Sequence, residues 1–314
     1  MAEDPFHEGE RAAQALAGLA SHGAGIRRFM PDQHRDFFAG LPWLFAGVLD
    51  GEGWPLATVL TGEPGFASSP TPTTLSIRAL PGAGDPANEA LRPGAPIGLL
   101  GIEFETRRRN RANGLVSARN ASGFAVSVEQ SFGNCAKYIQ TRRPLGLTLG
   151  EPASLEALGG LDDGACTMIG QADTLFIASA APSGHPRGGP DMSHRGGRPG
   201  FVRVEIDVLT VPDFAGNHYF NTLGNLLLEP RAALLFIDFA TGTTLQLQGT
   251  VEIVWHGPEL ARLDGAERLW RFHITRGWRR RNALPLRWSA PEFAPTTLQT
   301  GSWTAAPAAS SSDR

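Results

Sequence analysis

The sequence predicts a mainly β protein built from two tandem copies of one domain. The first observation is a long internal repeat: residues 99–106 recur as residues 234–241, and residues 62–66 recur as residues 197–201, with an offset of 135 in both cases. A period of that length exceeds a solenoid unit and indicates two whole domains. The second observation is that apolar runs of strand length dominate without alternating with helical patterns, which favours a barrel or a sandwich over a doubly wound sheet.

The two copies differ by one short insertion. Upstream of the segments above, Leu44 and Phe45 match Leu175 and Phe176 at an offset of 131, so the second copy has gained four residues between these landmarks. Two copies of one fold pack naturally about a pseudo-two-fold axis, as an isologous dimer does. We therefore expect the ligand-binding region in the groove between the copies.

Strands are predicted from two kinds of pattern. Residues 99–104 and 234–239 are near-continuous apolar runs, typical of strands covered on both faces, and residues 245–255 alternate between apolar and polar side chains. The predicted strands are 43–50, 56–60, 73–80, 97–104, 112–118 and 123–130 in the first copy, and 173–180, 201–210, 232–239 and 244–255 in the second. Helices are predicted at 8–20, 31–39, 217–228 and 259–271.

These elements divide the chain into five parts. Residues 1–40 are predicted to form an N-terminal helical segment, residues 41–150 the first repeat, and residues 171–290 the second repeat. Residues 151–170, within a stretch rich in Gly, Leu, Pro and acidic side chains, are predicted to be a linker. Residues 291–314 are predicted to be a C-terminal tail, disordered at its Ser-rich end.

The composition is that of an ordinary soluble protein, with 41% hydrophobic and 19% charged residues. A net charge of −3 argues against nucleic acid as a partner. The start has neither a basic region nor an apolar core of a signal peptide, and no stretch is long and apolar enough for a bilayer. The two cysteines, Cys135 and Cys166, lack metal-type spacing and fit a reduced compartment. We expect a cytoplasmic monomer or homodimer without a structural metal.

The common catalytic signatures of serine hydrolases, zinc proteases, P-loop enzymes and Rossmann folds are missing. The remaining motifs favour anions, and the first is Gly-rich. It spans residues 188–201, where closely spaced glycines, a serine hydroxyl and arginines would make a phosphate cradle. Its candidate binding residues are Ser193, His194, Arg195, Gly196 and Gly197. The alternative is a Gly-rich hairpin with solvated arginines.

The second motif is the predicted helix at 217–228. With Asn217 as its N-cap, Asn217, Asn221 and Asn225 share one stripe, beside Thr222. The positive end of the helix would offer free N–H groups to a phosphate. The alternative is an amphipathic helix with a solvated polar face, although asparagine is a poor helix former.

Two further motifs lie in the first copy. Arg109 and Arg111 alternate within a basic run before Gly114, so they share one strand face that is either solvated or turned towards the groove. Lys137 is the only lysine of the chain and follows Cys135. A thiol beside a lysine can be reactive, but a buried structural cysteine is the simpler interpretation.

The segments that carry these motifs resemble the flavin-binding proteins related to pyridoxamine 5′-phosphate oxidase. The matching stretches are residues 6–10 (FHEGE), 99–114, 130–142 (QSFGNCAKYIQTR), 191–204 (DMSHRGGRPGFVRV) and 212–239. The resemblance implies two tandem split barrels, packed as an intramolecular pseudo-dimer with FMN in the groove. It implies phosphate and ribityl contacts from the second repeat and strand contacts from Gln246 and Gln248. Lys137, Arg109 and Arg111 would reach the cofactor from the first repeat.

The chain also departs from that family. Both barrels lie in one chain, and Arg279, Arg280 and Arg281 only loosely resemble the family's arginine-rich substrate signature, so the vitamin substrate is not implied. The first copy has residues 57–66 where the second has the Gly-rich residues 191–201, which predicts one flavin per chain.

The resemblance implies an FMN-dependent oxidoreductase that acts on a small molecule, with NAD(P)H as one candidate electron donor. Lys137 is the candidate catalytic residue, as a donor to the N1/C2 edge of the reduced ring. One alternative is a non-enzymatic flavin or heme carrier or sensor, with His194 or His218 as a heme ligand. Another is a stand-alone relative of a larger redox assembly that passes electrons to a protein partner.

Overall fold

The computed structural model describes residues 4–147, 153–182, 185 and 187–303. In the first repeat, seven strands form one antiparallel sheet, and α1 and α2 precede it. The elements are α1 (Glu8–Leu16), α2 (Asp32–Gly40), β1 (Trp43–Leu49), β2 (Pro55–Thr61), β3 (Ala67–Thr71), β4 (Thr74–Ile77), α3 (Ala87–Ala90), β5 (Pro96–Glu103), β6 (Arg108–Asn120) and β7 (Gly123–Gly133).

The second repeat follows two connecting strands, β8 (Pro144–Leu147) and β9 (Ser154–Leu158). Its elements are α4 (Asp163–Gln171), β10 (Thr174–Ala181), β11 (Gly189–Gly196), β12 (Arg203–Glu205), β13 (Val208–Phe214), α5 (Asn221–Leu228), β14 (Arg231–Ile237), β15 (Thr244–Val254) and β16 (Ala266–Arg281). The chain then forms β17 (Leu286–Trp288), which pairs with β8, and α6 (Pro295–Leu298).

The two sheets have the same connectivity. The strand order is β2-β1-β5-β6-β7-β4-β3 in the first repeat and β11-β10-β14-β15-β16-β13-β12 in the second, with β9 added beside β16. The helices correspond as well, because α4 lies 131 residues after α2 and the start of α5 lies near the counterpart of α3. The predicted mainly β fold with an internal duplication is confirmed.

Each repeat has its own apolar core, and a third cluster of buried side chains lies between the two sheets. At the centre of this seam, the equivalent residues Phe45 and Phe176 stack with their ring centroids 3.7 Å apart. Strand β5 packs on β11, and its counterpart β14 packs on β2. This reciprocal contact is the arrangement of an isologous dimer within one chain.

Several predicted elements are wrong. Residues 259–271, predicted as a helix, form a single 3₁₀ turn at Leu260–Arg262 and then enter β16. Residues 201–210, predicted as one strand, contain a tight turn at Ile206, whose φ of 55° separates β12 from β13. The predicted helix at 217–228 begins only at Asn221, and residues 189–196 of the Gly-rich motif form strand β11.

The segments outside the two barrels are also structured. Residues 151–170, predicted as a linker, contain β9 and most of α4; residues 151 and 152 lie outside the described residues. The first part of the predicted C-terminal tail carries α6, and the guanidinium of Arg203 lies 4.4 Å from the ring of Trp303. Residues 304–314, where disorder is predicted, lie outside the described residues. Within the described ranges, the helices are too short or too polar to cross a membrane.

Candidate functional site

A small cavity of about 70 Å³ lies at the start of α5, and we call it the anion pocket. The chain enters α5 through His218 and Phe220, which are both left-handed, with φ of 61°. Non-glycine residues rarely adopt this conformation, and such strain concentrates at functional sites. Among the described residues, no side chain caps the first turn of α5, and its residues Asn221, Thr222 and Leu223 line the pocket. The lining residues are Arg111, Arg195, Asp213, Phe214, Gly216, Asn217, His218, Phe220, Asn221, Thr222, Leu223 and Arg268.

Three guanidinium groups and one carboxylate line the anion pocket. Arg268 donates to Asp213 at 2.9 Å, whereas Arg195 lies 3.6 Å from the same carboxylate. The Nε atoms of Arg111 and Arg195 are buried and have no hydrogen-bond partner among the described residues. Buried donors without partners are costly. The pocket therefore has cationic donors that an added anion would satisfy.

Strand β11 contributes the serine and arginine of the predicted cradle. The Ser193 hydroxyl lies 2.8 Å from the hydroxyl of Thr222, which ties β11 to the first turn of α5. The glycines of the motif have a packing role, because a Cβ on Gly196 would lie 1.9 Å from the carbonyl oxygen of Tyr138. A Cβ on Gly197 would lie 2.4 Å from the ring of Phe201. These two glycines permit close packing at the end of β11.

The first repeat completes the site through β6. Arg111 crosses the seam and donates to Asp191 at 2.9 Å and to Asn221 at 3.2 Å. Its other terminal nitrogen donates to Ser193 at 2.5 Å. Asn113, two residues further along β6, donates to the second oxygen of Asp191 at 2.6 Å. Residues that are far apart in the sequence thus form one buried polar cluster.

Arg109 and His194 form a second contact across the seam. Arg109 donates to His194 Nδ1 at 3.2 Å and to the carbonyl oxygen of Cys135 at 2.8 Å. Burial lowers the pKa of His194 well below its usual value, and the nearby Arg109 lowers it further. His194 is therefore a neutral imidazole. Its Nε2 is buried without a partner among the described residues.

A larger cavity of about 310 Å³ lies on the other side of Asn221, and we call it the seam cavity. Asn221 lines both cavities, and α1 supplies His7 and Glu10 to the seam cavity. The seam cavity is lined by Asp4, Pro5, His7, Glu10, Ile26, Arg27, Arg28, Pro96, Ile97, Asn113, Gly114, Leu115, Glu129, Gln130, Arg187, Gly188, Gly189, Pro190, Asp191, Asn221 and Asn225. It lies between the repeats, where the duplication predicts the ligand-binding region.

His7 and Glu10 were not among the predicted site residues, although both lie in the matching stretch FHEGE. They form a reciprocal capping box at the start of α1, in which His7 Nδ1 accepts from the backbone and Glu10 accepts from the amide of His7 at 2.9 Å. His7 Nε2 then donates to Asn225 at 2.9 Å, and Asn221 donates to the Glu10 carboxyl group. A capping-box pattern in the sequence could have revealed this helix start, but not its partners in α5.

Burial raises the pKa of Glu10 to about 8, and the charge of Asp191 also raises it. Hydrogen bonds from the amide of His7 and from Asn221, together with the charge of Arg111, lower the pKa in part. Burial lowers the pKa of His7. The seam cavity therefore contains a carboxyl group that can hold a proton near neutral pH.

The remaining predicted residues occupy other places. Gln246 donates to the carbonyl oxygen of Ala57 at 2.9 Å, and Gln248 donates to that of Pro55 at 2.8 Å. Both therefore face strand β2 of the first repeat and share no partner with Ser193. Lys137 is half-buried, and within the described residues it has no hydrogen bond or ion pair.

Asn217, predicted as the helix cap, instead accepts from the amide of Tyr219 at 3.2 Å in the turn before α5. It nevertheless lines the anion pocket. Asn225 donates to Ser179 on β10 and accepts from His7, so its amide bridges α5, β10 and α1. The structure thus gathers Ser193, Asn221, Thr222 and Arg111 into one cluster and places Asn225 at the edge of the seam cavity.

The counterpart of the anion pocket in the first repeat is filled. The carboxylate of Asp85 accepts from Thr58 at 2.7 Å, from Arg280 at 2.9 Å and from the amide of Ala87 at 3.0 Å. Gln246 also donates to both carboxylate oxygens at 3.2 Å. With the offset of 135, Thr58 corresponds to Ser193 and Gln246 corresponds to Arg111. In the second repeat, Arg111 lines the anion pocket and donates to Ser193, whereas in the first repeat both counterparts donate to the Asp85 carboxylate.

Comparison with known proteins supports the resemblance. Residues 161–285 match the family model described as Pyridoxamine 5′-phosphate oxidase. The matched residues cover most of the second repeat. The first repeat has the same strand order, so the predicted fold of tandem split barrels is confirmed at the level of connectivity. No curated protein matches the sequence.

Solved structures with this likeness come from several bacteria. A pyridoxamine 5′-phosphate oxidase homologue from Lactobacillus delbrueckii is 13% identical, with a TM-score of 0.30, and the match covers 38% of this chain and 94% of that one. A FAD-binding protein from Mesorhizobium loti is 12% identical, with a TM-score of 0.28 and coverages of 40% and 97%. HutZ, a heme storage protein from Vibrio cholerae, is 13% identical, with a TM-score of 0.27 and coverages of 43% and 98%.

Proposed function

We propose that this protein binds one FMN and uses it in an oxidoreductase reaction on a small molecule. The supporting observation is the anion pocket, where Arg111, Arg195 and Arg268 converge on the start of α5 around a single lining carboxylate. The N-terminus of a helix together with guanidinium donors favours a phosphate group. The pocket, at about 70 Å³, has room for a group larger than one water molecule.

The residues present fit the phosphate end of FMN. Arg195, Asn221 and Thr222 would hold the phosphate, with Arg111 reaching across from the first repeat. The buried Nε atoms of Arg111 and Arg195 are donors that such an anion would satisfy. Because Asn221 lines both cavities, the seam cavity is the proposed place for the substrate or for part of the flavin ring.

When bound, FMN supplies the hydride and electron chemistry, so the protein needs no acid–base triad of its own. The chain would orient the cofactor and exclude water. Glu10 would hold a proton at its carboxyl group beside the substrate, and His7 would keep Asn225 in place. Lys137 is not among the residues that line the two cavities, so we propose Glu10 as the group for proton transfer.

The absorption spectrum of the purified protein tests this proposal. We expect the two visible bands of an oxidised flavin, and identification of FMN in the released cofactor. Bleaching by NADH or NADPH without oxygen, and recovery in air, would support an oxidoreductase. A flavin that is bleached only by chemical reductants would favour an electron carrier with a protein partner, and an intense Soret band would favour a heme protein.

A further inference from the structure

Four donor groups converge on the carboxylate of Asp85 and use its full acceptor capacity. Thr58, Gln246, Arg280 and the amide of Ala87 all donate to it, and they come from both repeats. Gly82 makes room for the arginine, because a Cβ there would lie 2.2 Å from the guanidinium group of Arg280. The cluster is therefore built around an anion that is fixed at one point of the seam.

We propose that Asp85 is an internal substitute for a phosphate group, and that the first repeat retains a phosphate-monoester site which this carboxylate fills. This inference rests on the proposed function, which identifies the ligand of the second repeat as FMN. It goes further, because it assigns a second phosphate site, in the first repeat, and explains why Asp85 closes that site in the natural chain.

The positions around Asp85 support this assignment. Asp85 itself corresponds to Phe220, and Ala87 corresponds to Thr222, so the carboxylate lies beside the counterpart of the first turn of α5. Thr58 provides a hydroxyl group where the second repeat has Ser193. The second repeat thus has an apolar residue and an open pocket at the place where the first repeat has its own anion.

The donor set also has spare capacity. Arg280 donates through a single terminal nitrogen, and its Nε is buried without a partner among the described residues. A carboxylate offers two oxygens, whereas a phosphate monoester offers three and a charge of about −1.5 to −2 at neutral pH. A phosphate in place of the Asp85 carboxylate would offer a third oxygen and a larger negative charge to the guanidinium group of Arg280.

A simple structural ion pair is the competing explanation, and the chain contains a matched example. Arg142 donates to Asp173 at 2.5 Å, and both side chains are as deeply buried as those of Arg280 and Asp85. The further side-chain donor to Asp173 is the adjacent Thr174, at 2.9 Å. Asp173→Ala therefore also leaves a buried arginine without its carboxylate, but without the converging donors that surround Asp85.

The experiment compares Asp85→Ala, Asp173→Ala and the natural chain by thermal unfolding. Inorganic phosphate is titrated against sodium chloride at constant ionic strength. Both variants should be destabilised. Phosphate should raise the Tm of Asp85→Ala in a saturable way, by roughly 2–4 °C or more beyond its effect on the natural chain. It should give no such additional rise with Asp173→Ala. Equal responses of the two variants would overturn the proposal.

Four further outcomes are decisive. If Asp85→Ala does not fold in plain buffer, refolding from urea should succeed with phosphate, and failure in both conditions would count against the proposal. The double variant Asp85→Ala/Arg280→Ala removes both charges and should lose the phosphate response. If FMN binds the natural chain at one equivalent while Asp85→Ala ignores phosphate, this proposal alone fails. If phosphate rescues Asp85→Ala but no flavin binds the natural chain, the proposed function fails instead.

Discussion

Phe45 and Phe176, equivalent residues of the two repeats, stack on each other with their ring planes 17° apart. Both side chains are fully buried, in a cluster to which each repeat contributes. The contact fixes β1 against β10, so the arginines of β6 meet β11 at a defined register. The seam is therefore a packed core with a polar cluster beside it, and the cluster depends on that packing.

Replacement of Phe176 by alanine should destabilise the whole chain. Removal of a buried phenylalanine costs about 3–5 kcal/mol, because transfer free energy is lost and a cavity remains. Urea unfolding should show a single transition with a lower midpoint. Phe29→Ala is the control, since Phe29 is 46% exposed, and its midpoint should be nearly unchanged. Two separate transitions in the natural chain would show that the seam does not couple the repeats.

The duplication could be predicted because matched residues recur at a fixed offset along the chain. The apolar runs of β5 and β14 also identified strands that are buried on both faces. Strand β16 was missed because its apolar residues at 269, 270 and 272 alternate with arginines that pair with Asp213 and Glu252 from neighbouring strands. Those partners are not visible in a local pattern.

The site was harder to predict than the fold. Helix α5 begins late because His218 and Phe220 adopt left-handed conformations, which propensity does not anticipate for these residues. The glycines of β11 suggest a phosphate cradle, but Gly196 is needed for close approach to Tyr138. The roles of Glu10 and Asp85 depend on partners more than a hundred residues away, so sequence spacing could not reveal them.

The docking of α1 on α5 depends on two glycines that face each other. A Cβ on Gly224 would lie 2.5 Å from the Cα of Glu10, and one on Gly9 would lie 2.3 Å from the carbonyl oxygen of Gly224. Gly224→Ala should therefore push α1 away, at a cost of about 1–3 kcal/mol. Hydrogen exchange should accelerate in residues 8–16 while β14 stays protected.

Gly170→Ala is the matched control for this prediction. Gly170 also lies in a helix, α4, and nothing is within 4 Å of a Cβ built there. Its exchange pattern should match that of the natural chain. Unchanged protection of residues 8–16 in Gly224→Ala would contradict the close helix contact.

Glu10 should make stability depend on pH. Its pKa is raised from 4.5 to about 8, so within this window the folded chain holds a proton that the unfolded chain has released. The free energy of unfolding should therefore fall as the pH rises through the window. Thermal unfolding across the same range should show this slope, and Glu10→Gln should remove it.

The control for the pH prediction is Glu8→Gln, because the Glu8 side chain is 73% exposed. The slope should persist in this variant. His7, whose pKa is lowered by burial, adds a contribution of opposite sign at acidic pH, and comparison with Glu10→Gln cancels it. An identical pH profile for Glu10→Gln and the natural chain would contradict the assignment of the proton to Glu10.

The most direct test of the anion pocket is the affinity for FMN and for riboflavin, which lacks the phosphate, measured by quenching of flavin fluorescence. The natural chain should prefer FMN. Arg195→Ala should lose roughly ten-fold or more in FMN affinity, the cost of one charge-assisted hydrogen bond, with riboflavin affinity unchanged. Arg198→Ala, at an exposed position three residues further along the chain, should affect neither ligand. Equal affinity of the natural chain for both flavins, or equal losses for both in Arg195→Ala, would contradict phosphate recognition at the start of α5.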